Sequence, residues 1–135
     1  MIFIYDNKEY KLNDELFDGF YNDEIKPILD IDEKKILEVL QQENLDFEKS
    51  YYSMPCEQCK DNKLDDIRAY PFLEYHFYIY TKNDKYITNN IEVEKNNTSF
   101  TKMLKEGKVD NSYIVSIIVC YKCGRYTIEL EQFDI

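Results

Sequence analysis

The sequence has 135 residues and a mass of 16.4 kDa, the size of one domain, since domains typically contain about 100 to 200 residues. Its formal net charge is −10, from 27 acidic and 17 basic side chains. This acidity argues against nucleic acid and anionic membranes as partners, because Lys and Arg supply most of the affinity for both. Hydrophobic residues form 44% of the chain, enough to bury a core, and only 3 glycines leave no room for a glycine-rich phosphate loop.

The acidic side chains are concentrated near the N-terminus. Residues 1–50 carry a net charge of −8, whereas residues 51–135 carry −2. No linker, repeat or low-complexity run separates these parts, so we predict a single domain, 1–135, with an acidic N-terminal flank and a cysteine-bearing sheet region. Because the sequence shows neither a signal peptide nor an apolar run of about 20 residues, we expect a cytoplasmic protein with no membrane segment.

The first 50 residues are expected to form a hairpin and helices. Residues 2–5 and 9–12 alternate around a turn-forming Asp-Asn-Lys, which predicts a short hairpin. Asn13 or Asp14 is expected to cap a brief helix. The apolar side of that helix would carry Leu16, Phe17 and Phe20. Residues 32–42 show the clearest helical pattern, since their apolar side chains share one face and acidic residues lie at the N-terminal end.

The remaining elements are mostly strands. Residues 72–81 and 86–94 alternate in polarity around an Asn-Asp turn, and residues 113–119 and 125–133 predict the strongest strand pair. A short helix is expected over 99–106, with Ser at its N-cap and Gly after its end. The predicted fold class is α+β, with a mainly antiparallel sheet of about five or six strands and one or two helices.

All four cysteines fall into pairs of the form C-x-x-C. Cys56 pairs with Cys59 and Cys120 with Cys123, and 60 residues lie between the pairs. A C-x-x-C turn directs two thiolates at one ion, so two such turns supply the closed four-thiolate shell that Zn²⁺ prefers in structural sites. We therefore predict that these four residues are the ligands of a structural Zn²⁺. Gly124 follows the last ligand, where the chain must turn sharply.

The two cysteine knuckles and the last predicted hairpin resemble the zinc-ribbon class. In that class, two C-x-x-C knuckles, often followed by Gly, close one four-cysteine site at the end of a small antiparallel sheet. Zinc ribbons usually have a much shorter segment between their cysteine pairs, so the resemblance covers only these parts. The whole chain also resembles a family of small clostridial proteins of unknown function, in its Tyr-, Lys-, Asn- and Ile-rich composition and its paired cysteines.

The leading hypothesis for function is a non-catalytic, zinc-stabilised module that binds another macromolecule. A protein partner is favoured, bound through the acidic flank or through a tyrosine-rich pair of strands that serves either core packing or an interface. The tyrosines concerned are Tyr70, Tyr75, Tyr78, Tyr80 and Tyr86. Nucleic-acid binding is common among zinc ribbons, but the net charge of this chain opposes it.

An enzyme is the alternative. A thiol-disulfide oxidoreductase would use Cys56 and Cys59, with a helix over residues 62–69 lowering the thiol pKa. A hydrolase would need carboxylates that no spacing in the sequence distinguishes from ordinary solvated ones. His76 is the only histidine, so we expect a hydrogen-bonded strand residue rather than part of a catalytic triad. Three cations near the knuckles are expected to offset the thiolate charge, namely Lys60, Lys122 and Arg125.

Overall fold

A computed structural model describes residues 1–41, 43–60 and 69–133 of the chain. These residues form eight strands and three α-helices. In chain order the elements are β1 (Ile2–Tyr5), β2 (Lys8–Lys11), a 3-10 turn (Asp14–Leu16), β3 (Phe17–Tyr21), α1 (Glu33–Leu40), β4 (Glu48–Tyr52), β5 (Tyr70–Lys82), β6 (Lys85–Asn89), α2 (Asn90–Lys95), α3 (Phe100–Lys105), β7 (Asn111–Cys120) and β8 (Tyr126–Gln132). The α+β class is confirmed.

Six of the strands form one mixed sheet in the order β3-β8-β7-β5-β4, with β6 also paired to β5. The pairs β4–β5, β5–β6, β5–β7 and β7–β8 are antiparallel, and β3 runs parallel to β8. The strands β1 and β2 form a separate antiparallel hairpin. The six strands of the main sheet agree with the five or six expected, although β3 and β4 were not anticipated as strands.

The predicted N-terminal hairpin is confirmed, and the brief helix expected after it is wrong. Asn13 does cap a turn, since its side chain accepts a hydrogen bond from the Leu16 N–H at 3.1 Å. The helix stops after one 3-10 turn, however, and Phe17–Tyr21 continues as strand β3. Pairing with β8 gives backbone groups on one side of this segment their hydrogen-bond partners, and that distant partner is invisible in the local sequence pattern.

The predicted helix over 32–42 corresponds to α1. Asp32 caps it by accepting a hydrogen bond from the Lys35 N–H at 2.8 Å, and Ile36 and Leu40 are fully buried. The helix ends at Leu40, two residues earlier than expected. Its apolar side packs in the main hydrophobic core together with the β1–β2 hairpin and one face of the sheet.

The strand expected over 86–94 is wrong in its second half. β6 ends at Asn89, whose buried side chain accepts a hydrogen bond from the Glu92 N–H at 2.9 Å and donates one to the Tyr86 hydroxyl at 2.8 Å. This cap begins helix α2, which places Val93 in a second, smaller core. The next helix, α3, confirms the prediction over 99–106, with Ser99 as its N-cap.

The two faces of the main sheet are covered differently. The inner face lies on the main core, whereas part of the outer face supports the second core, which contains Tyr80, Val93 and Val109. Tyr75 and Tyr86 pack against the first core and Tyr78 against the second. Most of the predicted tyrosine cluster therefore serves core packing.

None of the helices in the described part of the chain is long and apolar enough to cross a membrane. The acidic flank contributes a strand to the main sheet, because β3 belongs to residues 1–50 and pairs with β8. That the chain is a single domain stays a prediction.

Candidate metal centre

The topology of the sheet brings the two cysteine pairs to the same end. β4 ends where Tyr52 pairs with Tyr70, at the start of β5, and Cys120 at the end of β7 pairs with Phe72, two residues further along. Since β4 and β7 lie on either side of β5, the chain segments that follow both strands leave the sheet together. The knuckle after β4 and the knuckle after β7 therefore meet, although 60 residues separate them in sequence.

The four predicted ligands do come together. The sulfur atoms of Cys56, Cys59, Cys120 and Cys123 all lie within 4.8 Å of one another. The Cys56–Cys123 and Cys59–Cys120 sulfur distances are both 3.8 Å. Zinc–sulfur bonds of about 2.3 Å in a tetrahedron place the sulfurs about 3.8 Å apart, whereas a disulfide needs about 2.05 Å. The spacing therefore fits a metal shell, and four soft thiolates suit Zn²⁺.

Both knuckles have the same backbone turn. The Lys60 N–H donates to the Cys56 carbonyl at 2.9 Å, and the Gly124 N–H donates to the Cys120 carbonyl at 3.0 Å. The residue after the second cysteine is left-handed in each case, with φ of 52° at Lys60 and 79° at Gly124. The expectation of a sharp turn at Gly124 is confirmed, and Lys60 adopts this conformation without the freedom of a glycine.

Backbone N–H groups point at the sulfur atoms, as a thiolate site requires. The Cys123 N–H donates to the Cys120 sulfur at 3.5 Å. Burial acts to raise the pKa of Cys56, but hydrogen bonds from the Cys59 and Gln58 N–H groups and from neighbouring thiols outweigh it, so the pKa of Cys56 is lowered. The first knuckle thus favours a thiolate at Cys56.

In the second knuckle, burial and the neighbouring cysteines make the thiolate form less favourable. Cys120 is 1% exposed, and burial raises the pKa of the Cys120 thiol despite the N–H groups that point at it. Burial likewise raises the pKa of Cys123, and the neighbouring Cys56 adds to this effect. A divalent cation offsets both penalties, because it replaces the protons and cancels the repulsion between thiolates.

The N-terminal hairpin contacts and supports the second knuckle. These contacts were not predicted from the sequence. The Tyr10 hydroxyl donates to the Tyr121 carbonyl at 2.6 Å, and the Lys8 ammonium donates to the Lys122 carbonyl at 2.6 Å. Tyr10 is 2% exposed and its pKa is raised by burial. No local signal reveals these contacts, since more than 100 residues separate the partners.

The ring of Tyr121 is held by two further residues. Its hydroxyl donates to the Asp6 carboxylate at 2.8 Å, and the Lys49 ammonium lies 4.2 Å from the ring centroid. Asp6 belongs to the hairpin turn and Lys49 to β4. The side chain between the last two cysteines is therefore fixed by both neighbouring elements.

Of the cations expected to offset the thiolates, Arg125 interacts electrostatically with Cys56 and Cys123. Its Nε and an Nη atom both lie 2.7 Å from one oxygen of Asp18, and this carboxylate, with those two cysteines, raises the pKa of Arg125. The guanidinium is thus shared between the site and β3.

The other candidate residues lie outside the cysteine site. His76 is hydrogen-bonded as expected, with Nδ1 at 2.8 Å from the Ser116 hydroxyl. In the described part of the chain, the cysteines form the one cluster of His, Cys, Asp or Glu close enough to hold a metal. Among the acidic residues, Asp23 and Asp32 accept backbone hydrogen bonds at a turn and a helix start. Most of the helix that the oxidoreductase hypothesis expects over 62–69 lies outside the described residues.

Comparison with known proteins gives one family match. No curated protein matches the chain, and no solved structure matches it. No zinc-ribbon family is therefore confirmed, and that resemblance rests on the two knuckles and the β7–β8 hairpin. One family model matches residues 1–135 and carries the description "Protein of unknown function (DUF3785)". The chain belongs to this family.

Proposed function

We propose that Cys56, Cys59, Cys120 and Cys123 bind one structural Zn²⁺. The single observation that carries this proposal is the convergence of four sulfur atoms within 4.8 Å of one another. Two of the four residues are buried, at 6% and 1% exposure, and no fifth His, Cys, Asp or Glu of the described chain joins them. Such a closed shell leaves no open position for substrate, which is typical of structural rather than catalytic zinc.

With the metal as scaffold, the protein acts as a non-catalytic module that binds another protein in the cytoplasm. The metal joins the loop after β4 to the β7–β8 turn, so it stabilises one end of the sheet. Support for a protein partner comes from large apolar side chains that remain exposed, among them Tyr21, Tyr51 and Met54. Exposed aromatic and methionine side chains are enriched in protein interfaces.

Metal analysis of the purified protein tests the site. We expect one zinc per chain and none in Cys120→Ser, which should lose at least about 3 kcal/mol of unfolding free energy or fail to fold. Because loss of folding alone could expel the metal, the half-buried Cys59 offers a matched pair. Cys59→Ser should lose zinc, whereas Cys59→His keeps a nitrogen ligand and should retain it. Equal zinc content in all variants would contradict the proposal.

A thiol-disulfide oxidoreductase is the second candidate, favoured by the lowered pKa of Cys56. Against it, Cys56 is only 6% exposed, and redox chemistry at the first pair gives no role to the second. A metal-free protein with one fast-reacting thiol, in which Cys120→Ser keeps disulfide exchange at Cys56, would favour the enzyme over the scaffold.

A further inference from the structure

Part of the outer sheet face lies between the knuckles and the α2–α3 pair. Strand pairing aligns Tyr21, Glu129, Ser116 and His76 in one row across this face. The next row towards the knuckles runs from Gly19 through Thr127 and Ile118 to Glu74. Side chains that pair directly across strands project from the same side of a sheet.

A cleft of about 560 Å³ lies over these rows. One wall is Tyr21, which is 53% exposed, and its ring lies over Gly19, where a Cβ atom would come within 3.0 Å of the tyrosine hydroxyl. Opposite it, the rings of Tyr52 and Phe72 pack with their centroids 5.0 Å apart. Ile118 and Thr127 also line the cleft. The volume is that of a typical ligand pocket.

The charge in the cleft is negative and incompletely balanced. Asp18 is neutralised by Arg125 at 2.7 Å. Glu74 accepts hydrogen bonds from Ser50, at 2.9 Å, and from the Tyr52 hydroxyl. Among the described residues, no Lys or Arg forms an ion pair with Glu129. Its pKa is raised by burial and by the carboxylates of Glu131 and Glu74, so an arriving cation would relieve an existing penalty.

We infer that this cleft binds an arginine-bearing peptide segment of a partner protein, with a guanidinium stacked on the Tyr21 ring and paired to Glu129, which pairs directly with Tyr21 across the strands. This inference rests on the proposed protein-binding function and names its surface. A planar guanidinium suits the site because it stacks on aromatic rings while it donates to a carboxylate. A second copy of this chain would bring another net charge of −10, and nucleic acid would bring phosphates, so charge complementarity favours a basic peptide.

Titration of the ¹⁵N-labelled protein tests the inference. The probe is an eight-residue peptide of alternating arginine and serine with blocked ends, and the control replaces each arginine by citrulline, which has the same shape without the charge. We expect saturable amide shifts at Tyr21, Glu129 and Tyr52 with the arginine peptide and none with the citrulline peptide. Binding should weaken with added salt.

Two variants with the same change of charge distinguish binding in the cleft from nonspecific attraction of the peptide to an acidic protein. Glu129→Gln should weaken peptide binding at least tenfold. Glu38→Gln, on the exposed side of α1, should change it less than twofold. Equal loss in both variants, shifts spread over the whole surface, or no shifts up to about 1 mM peptide would each overturn the inference. Equal affinity for the citrulline peptide or stronger binding of spermine would overturn it as well.

Failure here and failure of the proposed function are distinguishable. If the protein holds one zinc and captures a partner from its native source, but Glu129→Gln captures it equally well, only the inferred cleft is wrong. If the purified protein holds no zinc, the proposed scaffold is wrong whatever the peptide does.

Discussion

At the residue scale, the two knuckles have the same backbone turn but different amino acids at the position that follows the second cysteine. Lys60 and Gly124 both follow the second cysteine of a pair and both have positive φ. A residue with a Cβ atom loses about 1 kcal/mol in this conformation, whereas glycine does not. A Cβ atom at Gly124 would make only an ordinary van der Waals contact with the Tyr10 ring, at 3.9 Å. Backbone conformation rather than packing therefore decides which residue suits the position.

Because the two turns share this conformation, substitutions at Lys60 and Gly124 should have opposite effects on the unfolding free energy. Lys60→Gly should keep the metal and leave the unfolding free energy unchanged or raise it by up to about 1 kcal/mol, because it removes the strain of a positive φ. Gly124→Ala should lower it by about 1 to 2 kcal/mol. Urea denaturation of the zinc-loaded variants measures both changes. A loss at Lys60→Gly as large as that at Gly124→Ala would contradict the shared turn.

At the element scale, the N-terminal hairpin acts as a support for the metal centre. Tyr10 is stacked on Phe3 with ring centroids 5.1 Å apart, while its hydroxyl reaches the Tyr121 carbonyl inside the second knuckle. The hairpin thus belongs to the main core at one end and to the knuckle at the other. Contacts that orient the groups around a metal ligand typically affect its metal affinity.

Tyr10→Phe tests this link, since it keeps the ring and removes one hydrogen bond. We expect a loss of about 1 kcal/mol of stability and up to about tenfold weaker zinc binding, measured by competition with a chelator. Tyr126→Phe is the matched control, because Tyr126 is equally buried and its hydroxyl donates to the Asn13 carbonyl, away from the knuckle. That variant should lose similar stability at unchanged zinc affinity. Equal zinc affinity in both variants would show that the hairpin does not support the site.

At the scale of the whole molecule, excess negative charge is only partly balanced by pairing. Glu129 illustrates this, because burial and neighbouring carboxylates raise its pKa in the folded state. Between its ordinary pKa and the raised value, the folded state binds more protons than the unfolded state. Stability is therefore greater below this window and falls as pH rises through it. At neutral pH the ionised Glu129 destabilises the fold.

Glu129→Gln should consequently raise the unfolding free energy at pH 7, and this gain should disappear at acidic pH, where the native side chain is protonated in both states. Urea denaturation at pH 7 and near pH 4 measures the difference. Glu38→Gln changes the same formal charge and should show little pH-dependent effect. If Glu129→Gln instead lowers stability at pH 7, the ionised carboxylate stabilises the fold and its pKa is not raised. A gain in stability combined with weaker peptide binding would show that function, not folding, needs the charge.

How much of this molecule follows from sequence depends on the range of the interactions. The hairpin, α1, the Ser99 cap and the strands β5, β7 and β8 were predictable, because side-chain periodicity and capping act within a few residues. The four candidate ligands were identifiable from their two-residue spacing. Local pattern failed where a distant partner decided the outcome, as at Phe17–Tyr21, which pairs with β8, and at Asn89, whose side chain starts a helix inside an expected strand.

The sequence by itself determined the α+β class, the acidity of the chain and the identity of the four cysteines, since composition, periodicity and spacing are local properties. Only the tertiary structure decided that the cysteine pairs meet, because this depends on β4 and β7 lying on either side of β5. It also decided which tyrosines are buried, how the hairpin reaches the knuckle, and that Glu129 lies in an aromatic cleft. These contacts join residues far apart in the chain, and their geometry exists only once the sheet has formed.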